Sequence, residues 1–196
     1  MRWAHASTTT AFPAAGRVPT GKLGLWWFLA SEIITFGGLL GSYVVMRLAH
    51  PQWAEETAHL SVAIATLNTV VLLTSSLTMV LAFAAVDHED DKAVRAWLGC
   101  TVAFGLVFLL IKAFEWSGKI NAGLLPGASN FWAFYYAMTG LHALHVLGGI
   151  VVNAALLIVA LRGRLRPIAH RVETAGLYWH FVDVVWIFLF PLLYLS

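Results

Sequence analysis

Apolar residues run along this chain in five blocks, near 23–46, 60–86, 96–116, 131–161 and 174–195. Each block can cross roughly 30 Å of hydrocarbon at about 1.5 Å per residue, and the fourth is long enough that it must tilt or project. The separators HPQWAEE (50–56), DHEDDK (87–92), SGKINAGLLPGASN (117–130) and RGRLRPIAHR (162–171) carry the turn and charge residues expected between spans. The pattern predicts an all-α polytopic membrane protein: a bundle of five transmembrane helices over 23–196, preceded by a tail over 1–22. That tail is polar and alanine-rich and lacks the short apolar core of a signal peptide, so it reads as cytoplasmic. No repeat or low-complexity segment interrupts the pattern.

Composition agrees. The chain is 60% hydrophobic and 11% charged, with a mean hydropathy of +0.77, more apolar surface than one soluble core of this size hides. The net charge of +2 gives no reason to expect a nucleic-acid partner, and its distribution matters more than its sum. With the N-terminus inside, the inner segments hold Arg2, Arg17, Lys22, Lys92, Arg95, Arg162, Arg164, Arg166 and Arg171, and the outer ones only Arg47 and Lys119. This bias predicts a cytoplasmic N-terminus and an external C-terminus. The single cysteine, Cys100, excludes an internal disulfide and any centre needing several thiolates; it reads as a small buried residue. No proline falls in mid-membrane, since only Pro191, near the outer end of the last block, lies in a span. Discontinuous helices of the transporter kind are therefore not expected. Gly37, Gly38 and Gly41 in the first span, and Gly140, Gly148 and Gly149 in the fourth, are read as points of close helix approach.

Ionisable residues inside these spans are the candidate chemistry. The last block keeps Glu173, His180 and Asp183 within an arc of under a quarter turn, at about 100° per residue. Depth counting at about 1.5 Å per residue puts Glu32, His180, Asp183, His142 and His145 at similar heights, roughly 9–15 Å from the inner face. His142 and His145, three apart, share a helix face. The expected arrangement is one polar layer in the inner leaflet, with Asn68, Thr74, Ser75 and Ser76 adding hydrogen bonds. Three readings compete for it. It can be a metal site, a store or relay for protons centred on Glu32, or polar glue fixing helix register. Too few membrane histidines are present for a catalytic haem–copper centre, so no metal ligand set is expected. Lys112 and Glu115, three apart near the outer end of the third span, are expected to pair or to snorkel outward. The arginines of 162–171 suit anionic headgroups or a partner's acidic loop. Many of the nine tryptophans lie near span ends, Trp26, Trp27, Trp53, Trp97, Trp116, Trp132 and Trp179 among them, and read as interfacial anchors.

Five strings, one in each span and in order, resemble one family: LGLWWFLASEIITFGGLLGSY (23–43), LNTVVLLTSSLTM (67–79), GLVFLLIKAFEW (105–116), TGLHALHVLGG (139–149) and ETAGLYWHFVDVVW (173–186). Together they resemble subunit III of haem–copper oxidases, most closely cytochrome c oxidase subunit III, over nearly the whole chain after residue 22. The resemblance implies a subunit without a redox centre that packs against subunit I, with subunit II in the same complex and haem and copper held by those partners. It further implies a multi-pass protein of the bacterial cell (inner) membrane, with bound phospholipid and membership of a larger respiratory supercomplex both open. By the same resemblance Glu32 matches a buried glutamate associated with proton uptake and catalytic endurance. His142 and His145 match the family's histidine pair, Glu173, His180 and Asp183 its last-helix signature, and Arg162 a lipid-headgroup arginine. Seven-helix members hold phospholipid in a cleft beside two helices that are missing here, so a partner must supply its other wall.

The SE pair and the YWHFVDVVW run favour a cytochrome c oxidase over two relatives, the quinol oxidase subunit III and the accessory protein of nitric oxide reductases. From other classes, a small membrane metalloenzyme or a small transporter remain the alternatives.

Overall fold

The computed structural model describes residues 20–195; residues 1–19 of the expected tail, and Ser196, lie outside the described residues. The chain folds into helices α1 (Thr20–Ala49), α2 (Trp53–Thr57), α3 (Val62–Asp87), α4 (Asp91–Asn121), α5 (Asn130–Leu161) and α6 (His170–Tyr194), with a 3₁₀ turn at Arg166–Ile168 before α6. Among the described residues there is no strand, and five helices, all but α2, are long and apolar enough to cross a membrane. Short links make consecutive long helices antiparallel, so the bundle has two ends. One carries Lys22, Lys92, Arg95 and the 162–169 loop and is called the basic end below; the other carries α2 and the 122–129 loop.

Helix starts follow local capping chemistry. Asp90 accepts hydrogen bonds from the amides of Lys92 and Ala93, both 3.0 Å, while Ser61 and Ser129 accept from Ile64 and Trp132 at 3.4 Å. Each satisfies a donor that a helix start leaves orphaned. The α3–α4 turn is tight enough to force Glu89 to φ 56°, uncommon for a residue with a Cβ. This capped turn starts α4 at Asp91 and the helix runs on to Asn121, beyond both ends of the apolar block expected at 96–116.

The core lies where α3, α4, α5 and α6 meet, and α1 leans on α5 and α6 from outside. Its key piece is Trp179, fully buried, wedged between Gly105 on α4 and Gly149 on α5. A Cβ on Gly149 would come within 2.5 Å of the Trp179 ring, and one on Gly105 within 2.9 Å. Close approach at Gly149 is thus as expected, with a reason that spacing alone did not supply. Gly37, Gly38 and Gly41 differ: among the described residues no other helix comes within 4 Å of where their Cβ atoms would be, because α1 turns that face away from the bundle.

The tryptophans divide as well. Trp26 and Trp27 are exposed on α1, as interfacial anchors would be, but Trp53, Trp132 and Trp179 are buried core residues. Trp132 donates its indole N–H to Glu56 (2.6 Å), and Trp53 stacks on His50 and packs against Tyr43 and Phe131. This aromatic group fastens the loop after α1 to α5, and Lys119 of α4, bonded to the His59 carbonyl, fastens the segment after α2 to α4. Cys100 is half-buried on α4, not fully buried as its residue type suggested.

Candidate functional site

The polar residues of the spans do not form one continuous layer. The helices sort them into separate groups, because side chains a few residues apart on one helix face different neighbours.

Glu32 and His145 meet across the α1–α5 contact, with carboxylate Oε2 3.1 Å from ring Nε2 and both side chains largely buried. The other ring nitrogen, Nδ1, lies 2.9 Å from the Leu141 carbonyl of its own helix. A carbonyl can only accept, so Nδ1 carries a hydrogen. The Nε2–Oε2 contact then needs one further proton, held by the ring or by the carboxyl. Two phenylalanines of α1, each four residues from Glu32, bracket the pair: Phe36 sits edge-on to the His145 ring at 5.3 Å and Phe28 lies at 6.3 Å. Tyr178 on α6 donates its hydroxyl to the His145 carbonyl (2.9 Å).

His180 and Asp183 belong to the α3–α6 contact. Ser76 Oγ is 2.7 Å from His180 Nδ1, and Asp183 Oδ2 is 3.8 Å from the same nitrogen. Ser75 and Thr78 of α3 hydrogen-bond to α4 at Thr101, and Asn68 donates to the Phe108 carbonyl. Thr74 bonds back to the Val70 carbonyl of its own helix. These hydroxyls tie α3 to α4 and α6 as small polar residues do in bilayers.

His142 parts from His145. Its ring is buried, stacked on Trp186 at 5.1 Å and edge-on to Phe108 at 5.5 Å, and neither ring nitrogen has a hydrogen-bond partner among the described residues. Glu173 lies apart again, in a bidentate ion pair with Lys22 at the basic end, with both contacts 2.7 Å. Among the described residues no three His, Cys, Asp or Glu side chains gather as a metal ligand set.

Lys112 and Glu115 are deeply buried as well, 2% and 5% exposed. Of the two arrangements expected for them, they take the ion pair (3.0 Å). Two tyrosines that sequence reading missed complete the group: Tyr194 and Tyr135 both donate to Glu115 Oε1, at 2.7 and 3.0 Å. Lys112 Nζ also reaches Tyr194 Oη at 2.5 Å. Trp186, whose N–H bonds Thr69 at 2.9 Å, lies 5.2 Å from the same ammonium. The cluster joins α4, α5 and α6. The only signal for it was that a lysine and a glutamate in an apolar run need partners.

A cavity of about 820 Å³ opens between α1, α5 and α6 toward the basic end. Lys22, His170, Arg171 and Thr174 line its polar side, while Leu25, Phe28, Val152 and Leu156 line the apolar remainder. Arg162, matched to a headgroup contact by resemblance, is exposed at the end of α5 and does not line it.

Comparison with known proteins places this geometry. The family model described as "Cytochrome c oxidase subunit III" matches residues 16–196. A "Cytochrome c oxidase subunit 3" of Thermostichus vulcanus is 38% identical over 180 residues, covering 88% of this chain and 86% of the relative. A "Probable quinol oxidase subunit 3" of Staphylococcus saprophyticus is 33% identical over 176 residues, covering 89% and 88%. A "Heme-copper oxidase subunit I+III" of Aeropyrum pernix is 32% identical over 182 residues, covering 89% of this chain and 22% of that longer protein.

Proposed function

Since the chain belongs to the cytochrome c oxidase subunit III family, we propose that it serves a proton-pumping terminal oxidase as a non-catalytic subunit of a bacterial cell membrane. In this reading subunit I, with subunit II beside it, carries haem and copper and reduces oxygen to water. This chain stabilises subunit I and supports its proton supply. Fusion of subunits I and III in the Aeropyrum pernix relative supports direct packing on subunit I, since one polypeptide then encodes both partners. The cytoplasmic side is assigned to the basic end by its lysines and arginines. The membrane domain in this reading is the bundle from α1, which starts at Thr20, through α6.

The observation that carries the reading is the Glu32–His145 contact, in which a carboxyl and an imidazole buried between two helices share one proton. A group that must hold a proton at bilayer depth is suited to buffering or relaying protons, and costs too much there to serve as packing alone. The Ser76–His180–Asp183 group, His142 and the Lys22–Glu173 pair take supporting parts by fixing the helices that frame it. The cavity beside α1 suits a phospholipid, with its headgroup on Lys22, His170 and Arg171 and an acyl chain along Leu25, Phe28 and Val152. The quinol oxidase relative supports a second reading that differs only in electron donor.

Purification of the tagged chain from its own membranes tests the assignment. It is expected to bring down a haem- and copper-bearing partner whose reduced-minus-oxidised spectrum reports the haem type. Recovery of the chain alone, with intact membranes solubilised gently, contradicts it.

A further inference from the structure

The Glu32–His145 pair is closed on one side and thinly covered on the other. Toward the α2 end, Phe36 is buried at 3% exposure with its ring edge on His145. Toward the basic end the cover is Phe28, whose ring is 41% exposed and stands between the pair and the cavity. Lys22, Leu25, Phe28 and Glu32 fall along one strip of α1, so the cavity leads from the basic rim to the pair over ten residues of helix, about 15 Å. Phe28 meets Tyr178 at 6.1 Å. That tyrosine is held by its hydrogen bond to the His145 carbonyl, and its ring packs against the glycines of α5; a Cβ on Gly149 would sit 3.2 Å from it.

We propose that this cavity is the route by which the Glu32–His145 pair exchanges protons with the membrane surface at the basic end, and that the Phe28–Tyr178 ring pair is the door across it. The proposal rests on the reading of Glu32 as a proton-holding group and of the cavity as an acyl-chain site. Tyr178 is the fixed post and Phe28 the moving leaf. A rotation of the Phe28 side chain joins the pair to the cavity, whereas an acyl chain lying against Phe28 holds it shut and excludes water. The titratable and charged groups facing this path are few: Tyr178 beside the pair, and Lys22, Glu173, His170 and Arg171 at the mouth. Glu173 and His170 can exchange protons with bulk solvent, and Lys22 and Arg171 hold an anionic headgroup across the opening.

The assembled oxidase, purified in detergent, tests this with a water-soluble carbodiimide, the adduct on Glu32 being read by peptide mass. Phe28→Ala is expected to raise the labelling rate by about tenfold, equivalent to ~1.4 kcal/mol in the opening equilibrium, and Phe28→Trp to lower it below wild type. Tyr178→Phe keeps the ring but frees it from His145, and is expected to raise the rate without unfolding the chain. Added phosphatidylglycerol is expected to slow labelling of wild type but not of the Lys22→Gln/Arg171→Gln variant. Labelling that ignores the size of residue 28 and the Tyr178 hydroxyl overturns the door, whatever lipid does. If both variants behave as expected but bound phospholipid, measured by phosphorus content, is equal in wild type and in the Lys22/Arg171 variant, the door stands and the acyl-chain reading of the cavity falls.

Discussion

Replacing Glu115 by leucine is expected to destabilise the chain by about 3–5 kcal/mol, the cost of leaving a buried charge without its partner. Lys112 would keep two tyrosine hydroxyls but lose its carboxylate partner, at a site 2% exposed. Those hydroxyls now donate to Glu115 and would lose their acceptor at the same time, so three buried polar groups suffer from one substitution. The double variant Lys112→Met/Glu115→Leu is expected to recover most of the loss, because removing both charges of a buried pair is often close to neutral. Unfolding of wild type, Glu115→Leu, Lys112→Met and the double variant in a detergent titration gives the coupling energy directly. Equal stability of single and double variants would mean that the carboxylate contributes only its own packing.

Gly149→Ala is the second large effect, and here two terms oppose each other. Alanine favours helix over glycine by up to about 1 kcal/mol, but its Cβ would lie 2.5 Å from Cε3 and Cζ3 of Trp179. That ring has little room to retreat, because its far edge abuts Gly105 of α4. Overpacking of this kind costs about 1–3 kcal/mol, occasionally more, so the net sign is destabilising. Gly99→Ala, where nothing lies within 4 Å, isolates the helix term and is expected to be neutral or mildly stabilising. The same detergent titration separates them, and Gly149→Ala matching Gly99→Ala would show that Trp179 is not wedged.

The five long helices are legible in the sequence because membrane-length apolar blocks admit few other structures: lipid leaves every backbone polar group to be satisfied inside the segment. Their ends are less so, since Asp90 caps α4 inside a charged run that hydropathy assigns to a loop. The candidate site is legible as residue types and not as pairs. Depth counting puts Glu32, His142 and His145 alike at similar heights, roughly 9–15 Å from the inner face, but height does not say which neighbour a side chain faces, and it is His145 that meets Glu32. His142, one turn away, turns instead to Trp186 and Phe108. Glu173 was grouped with His180 and Asp183 by helix angle, yet it pairs with Lys22 because that lysine starts the adjacent helix. Tyr135 and Tyr194 give no signal, and Trp179 reads as an interfacial anchor yet is buried, because aromatic residues near span ends suit interface and core alike until helix contacts are known.

The central claim is that a proton held between Glu32 and His145 serves the catalytic partner. Glu32→Ala in the assembled oxidase tests it most directly, through turnover, proton uptake and the number of cycles completed before inactivation, alongside Glu55→Ala, an exposed carboxylate on α2, as a surface control. The account predicts slower proton uptake and a shorter catalytic lifetime for Glu32→Ala alone, with assembly intact. Wild-type values for all three in that variant would contradict it and leave the pair as a joint between α1 and α5.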